Sequence, residues 1–158
     1  MSDLPFLWSG ATALVDEIAK PLERISCWFS PHGWPHLATL WRSDGTGLNV
    51  HSEMHDLAER IEVGVLSFEL VNTPFDGEIF ADLNEAFLGS LSVSKLVLHE
   101  SGKIIESGMR IQSIDGEILI LPSSFPCNLA VRGAFSEPHI FKPEYPLDRY
   151  QVIPFTSS

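Results

Sequence analysis

KLVLHESGKIIESGMRIQSIDGEILIL, residues 95–121, decides how this chain folds. Three apolar-rich runs, Lys95 to His99, Lys103 to Ser113 and Glu117 to Leu121, are joined through the turns Ser101-Gly102 and Asp115-Gly116. Asp-Gly between apolar runs is the strongest short-range hairpin signal, because a tight two-residue turn needs positive φ at both positions. Strands joined this closely must run antiparallel, since a parallel return needs a crossover of a dozen or more residues. Cys127 to Arg132 reads as a further short strand. The expectation is a continuous antiparallel meander from Lys95 to Arg132.

Toward the N-terminus the same alternation recurs. Ile25, Cys27 and Phe29 alternate with Ser26, Trp28 and Ser30, which predicts a strand. Leu37 to Arg42 reads as the next one. Ser43-Asp44-Gly45-Thr46-Gly47 is a turn, and Leu48 and Val50 begin the return strand. Val63 to Val71 is the clearest strand of the first half. Met54 to Ile61 reads two ways: Met54, Leu57, Ala58 and Ile61 fit one face of a short helix, while the segments on either side look extended. Ala13, Leu14 and Ile18 have helical spacing and Pro21 ends that run. Asp82 to Leu91 is the second helix candidate, with Leu83, Ala86 and Phe87 on one side and Asp82 as cap or dipole partner. The fold class expected is therefore α+β, a mainly antiparallel β-sheet with a few short helices, with a β-sandwich-like arrangement as the alternative. One domain over 1–158 is expected, with a proline-rich C-terminal tail from about 138 that holds Pro138, Pro143, Pro146 and Pro154.

Charge narrows the choice of partner. The chain has 10 basic and 21 acidic residues, a net charge of -11, with 44% hydrophobic residues. That apolar content describes a packed domain rather than a disordered acidic chain. The acidity is local. From Ser43 to Ser94 the acids are Asp44, Glu53, Asp56, Glu59, Glu62, Glu69, Asp76, Glu78, Asp82 and Glu85, and Arg60 is the only base. Such a surface favours a basic partner and repels nucleic acid and anionic membrane. No apolar run approaches the length of a membrane span. The opening MSDLPFLWSG lacks a basic n-region and carries Asp3, which argues against a signal peptide. Cys27 and Cys127 are too few for a disulfide framework and read as reduced thiols, so the expected compartment is the cytoplasm.

The residues with chemical potential are few. In a strand, His51, Glu53 and His55 point to one face, and two imidazoles with a carboxylate are a ligand set for zinc or iron. This makes a small metal-binding β-domain or metalloenzyme the alternative function. The order His-x-Glu-x-His matches neither the His-x-His of cupin-type sites nor the His-Glu-x-x-His of zinc proteases, so no metal and no other cofactor is expected. His32 and His36 are four apart, but Pro31, Gly33 and Pro35 break any helix there. Trp28, Trp34 and Trp41 divide between core positions and an interface anchor. Ser92-Val93-Ser94-Lys95 has the Ser-x-x-Lys spacing of penicillin-recognising enzymes without their Lys-Thr-Gly, and Ser101-Gly102-Lys103 lacks the upstream glycine of a phosphate loop. Cys27 would need a base beside it to act as a nucleophile, and His32 is near only in sequence. The expected protein is not an enzyme.

One stretch has a familiar pattern. Ser107-Gly108-Met109-Arg110-Ile111, then Asp115-Gly116-Glu117-Ile118-Leu119-Ile120, then Phe125-Pro126-Cys127-Asn128-Leu129-Ala130-Val131 resembles the ending of small bacterial proteins of immunity-protein type. Those proteins protect a bacterium from its own or a neighbour's toxin. The resemblance covers about residues 104–132 and implies a single cytosolic domain without catalytic residues that occludes a toxin's active site. A basic toxin then meets an acidic face drawn from Glu59, Glu62, Asp76, Glu78, Asp82 and Glu85, with Trp34 as an aromatic anchor. A homodimer joined at an unpaired strand edge is a third reading.

Overall fold

The structure, a computed structural model, describes residues 7–8, 22–29, 35–42, 44–59, 61–72, 80–82, 91–114, 116–124, 127–133 and 141–155. Among these residues ten strands follow in chain order: β1 (Arg24–Phe29), β2 (Pro35–Trp41), β3 (Gly47–Ala58), β4 (Ile61–Val71), β5 (Phe80–Asp82), β6 (Ser92–Glu100), β7 (Lys103–Ser113), β8 (Gly116–Pro122), β9 (Leu129–Arg132) and β10 (Gln151–Pro154). They form two five-stranded antiparallel sheets, ordered β4-β3-β2-β1-β5 and β10-β6-β7-β8-β9.

The second sheet contains the meander that residues 95–121 predict. β6, β7, β8 and β9 pair consecutively and antiparallel. Ser101 and Gly102 both have positive φ, 52° and 73°, as a tight turn that follows the strands' twist requires. The first sheet is a second meander. β1 pairs with β2, β2 with β3 and β3 with β4, and β5 returns to the free edge of β1.

The α+β expectation is overturned. Among the described residues the only helical element is one 3-10 turn, Leu147–Arg149. Met54 to Ile61, with its helix-like spacing, is the end of β3, a turn at Glu59 and the start of β4. Leu57 and Ile61 belong to opposite strands of that hairpin, so their four-residue spacing is a coincidence of the turn. Asp82, expected to cap a helix, closes β5 and pairs with Ser26. Main-chain pairing along the exposed edge of β1 satisfies backbone groups that a helix there would leave open. The two expected helices otherwise fall on 11–20 and 83–90, outside the described residues. The protein is a two-sheet β-structure, the arrangement that alternating strands on short turns support.

Two apolar clusters hold it together. The first lies between the sheets, with Ile25, Cys27, Leu40, Leu48, Val50, Leu66 and Phe68 from one and Met109, Ile111, Ile118, Ile120 and Val131 from the other. The second uses the opposite face of the β6–β9 sheet: Leu96, Leu98, Ile105, Leu119, Leu121 and Ala130. It is closed by Leu57, Val63 and Val65 of the β3–β4 hairpin and by Tyr150, with Phe141, Tyr145 and Leu147 packed on it. β4 therefore contributes even-numbered side chains to one cluster and odd-numbered ones to the other. A strand with both faces buried reads as a near-continuous apolar run, and Val63 to Phe68 is one, broken only by Gly64 and Ser67.

Gly64 sits where β4 crosses the end of β8. A Cβ there would lie 2.4 Å from Pro122 Cβ, so only glycine permits the approach. Trp8, Trp28 and Trp41 are buried, and Trp41 donates its indole N–H to Ser26 Oγ at 2.9 Å. Trp34 lies outside the described residues.

Candidate functional site

Among the described residues the β3–β4 hairpin is the longest, and it carries Glu53, Asp56, Glu59, Glu62 and Glu69. β3 and β4 stay in register from Gly47↔Val71 to Asp56↔Glu62, with a bulge between Asp56 and Ala58. Beyond Val50, β3 has no ladder with β2, whose pairing ends at Ala38↔Val50. The outer half of the hairpin thus projects past the rest of its sheet.

At that projecting end the charges crowd. Asp56 lies directly opposite Glu62, both exposed, and Glu59 is exposed in the turn between them. Like charges directly opposed on neighbouring strands repel. Ile61, 46% exposed, sits beside them. Farther along, Glu69 is exposed opposite Asn49. The expected acidic face is thereby split. Glu59 and Glu62 come together at the hairpin tip with Asp56, another acid of the same stretch. Asp82 lies on β5, at the far edge of the same sheet, and its side chain is outside the described residues. Asp76, Glu78, Glu85 and the expected anchor Trp34 also lie outside them.

The strand that carries Asp56 also carries the candidate metal ligands. His51, Glu53 and His55 share one face, as alternation requires. His51 Nε2 lies 3.7 Å from Glu53 Oε1 and His55 Nε2 lies 3.7 Å from Glu53 Oε2. The carboxylate stands between the imidazoles, each facing a different oxygen. Among the described residues no group of three or more His, Cys, Asp and Glu side chains is arranged to hold a metal ion. The strand partners of Glu53 and His55 are Val65 and Val63, which are buried and supply no fourth ligand.

Other chemically suggestive residues have structural partners. Lys95 of the Ser-x-x-Lys sequence donates to Glu106 at 2.6 Å, and its ammonium lies 5.6 Å from the Trp8 and Phe155 ring centres. Cys27 is fully buried, and burial pushes its thiol up to about 12, which removes it as a nucleophile at neutral pH. Cys127 is exposed. Burial holds His36 below the usual imidazole range. Outside the hairpin, a cavity of about 170 Å³ opens on the outer face of the second sheet. Leu96, Leu119, Leu147, Tyr150 and Val152 line it, and the Arg110–Glu117 ion pair closes one side.

The segment around Glu144 was not singled out from the sequence. Glu144 accepts from the Gly64 N–H at 3.1 and 3.2 Å through its two oxygens. Burial pushes this carboxyl up to about 7, with the Gly64 N–H acting in the opposite direction. No motif announces such a group. Its only sequence signal is an acid set among Tyr145, Pro143 and Pro146, where local polarity is low.

No family model, curated protein or solved structure matches the chain. No helix among the described residues is long and apolar enough to cross a membrane, which leaves crossing by strands unaddressed.

Proposed function

We propose that this is a non-catalytic binding protein whose β3–β4 hairpin tip engages a basic protein partner, in the manner of an immunity protein that neutralises a toxin inside the bacterial cytoplasm. The observation that carries the reading is the opposed pair Asp56 and Glu62, with Glu59 between them and exposed Ile61 beside them. A fold tolerates directly opposed like charges at a cost, and a cationic surface docked on them turns that cost into attraction. Ile61 gives the contact an apolar centre within a charged rim. The resemblance of residues 104–132 to immunity-type proteins supports a toxin as that partner.

The test begins with capture of partners from a bacterial lysate on the immobilised chain, followed by their identification. The association rate of the captured protein is then measured across ionic strength. An on-rate that falls about tenfold or more between low and physiological salt is expected. Asp56→Lys with Glu62→Lys should slow association without unfolding the chain. The captured protein should arrest growth when expressed alone and not when this chain is co-expressed. A flat salt dependence, with the double reversal binding as fast as the wild type, would remove the hairpin from the interface.

A further inference from the structure

We propose that residues 141–150 form a proton-governed clasp on the open edge of β4, which closes when Glu144 is protonated and loosens when it is charged. This inference stands apart from the partner reading, since the clasp lies on the strand edge and not on the charged tip.

β4 is the edge strand of its sheet, and an edge strand presents unpaired N–H and C=O groups. At Gly64 both are taken by groups outside the sheet. Its N–H donates to the Glu144 carboxyl, and its C=O accepts from Ser107 Oγ at 3.0 Å. The segment reaches this edge from the end of β8. Ser124 N–H donates to the Lys142 carbonyl at 2.8 Å and Glu144 N–H donates to the Pro122 carbonyl at 2.9 Å. Past Pro146 the chain makes its 3-10 turn and doubles back, so that Tyr145 N–H donates to Tyr150 Oη at 3.3 Å. One acid thus ties the β6–β9 sheet to the edge of the other.

Among the described residues the surroundings of Glu144 hold no ion-pair partner. Gly64 from β4, Ser107 from β7 and Pro122 from β8 bring neutral groups. The titratable groups facing it are the phenols of Tyr145 and Tyr150, both raised by burial first and by the Glu144 charge in addition. Glu62, two residues along β4, is exposed, and Glu106, next to Ser107, is paired with Lys95. Among the described residues no lysine, arginine or histidine forms an ion pair with Glu144. A charged carboxylate in this position is desolvated with one backbone N–H as compensation, whereas the neutral acid keeps that bond and sheds the desolvation penalty. The sign follows by linkage. A carboxyl raised from 4.5 to about 7 favours the closed state most below 4.5, and the benefit fades as pH rises through about 7. Opening of the clasp frees the Gly64 N–H and uncovers the apolar surface beneath Tyr145 and Leu147.

The experiment follows the Gly64 amide of the full chain by ¹H–¹⁵N NMR from about pH 5 to about pH 8.5. Its shift should titrate with a midpoint near 7, matched by the amides of Tyr145 and Tyr150. Proteolytic cleavage within 141–150, normalised to a reference peptide, should be several-fold faster at the alkaline end. Glu144→Gln, neutral and close in shape, should flatten the titration and keep cleavage slow at both ends. A wild-type Gly64 amide that does not titrate in this range overturns the clasp, and so does a Glu144→Gln chain that keeps the wild-type transition.

Discussion

Replacing Gly64 by alanine tests the packing argument at its tightest point. The added Cβ would sit 2.4 Å from Pro122 Cβ, 2.9 Å from Pro122 Cγ and 2.8 Å from Ser52 Oγ, where ordinary contact begins at 3.4 Å. Pro122 must retreat by about 1 Å, or β4 must lift from the end of β8. Neither is easy, because the pyrrolidine ring is rigid and Gly64 is bonded on its edge to Glu144 and Ser107. Overpacking of this kind costs about 1–3 kcal/mol, and a rigid wall puts it at about 3. For a chain of this size each kcal/mol moves Tm by about 2–4 °C, so Gly64→Ala should melt about 6–12 °C below the wild type. Gly64 does not have positive φ, so backbone strain contributes nothing. Gly45→Ala is the contrast. Gly45 has φ 87° with nothing within 4 Å of its added Cβ, and the left-handed backbone alone should cost about 1–2 kcal/mol there. Thermal denaturation of both variants by circular dichroism decides the matter. A Gly64→Ala chain that melts within about 2 °C of wild type, or above Gly45→Ala, would refute the close approach of β4 to β8.

Asp56→Lys replaces a repelling cross-strand pair with an attracting one and should add about 0.5 kcal/mol of stability in urea unfolding. That gain should shrink in about 1 M salt, and a gain that salt leaves intact would point to a cause other than charge. Lys95→Met leaves Glu106 half-buried without its cation and should cost about 2 kcal/mol, read as a lower urea midpoint with a change in Trp8 fluorescence. At mildly alkaline pH a thiol reagent should modify one cysteine of the folded chain rapidly, Cys127, and reach Cys27 only on unfolding; two fast thiols would contradict the burial of Cys27.

The meander was legible because its turns are chemically explicit. Ser101-Gly102 and Asp115-Gly116 leave the chain little choice, and the run from Lys103 to Ser113 has the boundaries of β7. Of the two readings open for Met54 to Ile61, the structure takes the extended one. Met54, Leu57, Ala58 and Ile61 satisfy a helical spacing only because a turn and a bulge fall among them. The tip acids Glu59 and Glu62 were legible as charge, but the opposition of Glu62 to Asp56 depends on register, which single residues do not encode. Gly64 looked like an ordinary glycine in a strand. Its role depends on Pro122, far away in sequence, as Glu144 depends on Gly64. Long-range pairs of this kind leave no periodic trace.

The rings of Trp8 and Phe155 lie 5.4 Å apart, both against Lys95. The first and last parts of the described chain therefore meet over one strand, and the backbone between them is nearly a closed circuit. In such a topology the order in which the strands are synthesised is separable from the order in which they pack. A short linker could join the two ends, and the chain could be cut instead at the exposed turn of Asp44 and Gly45. Strand β3 would then come first and β2 last, with both sheets keeping their neighbours.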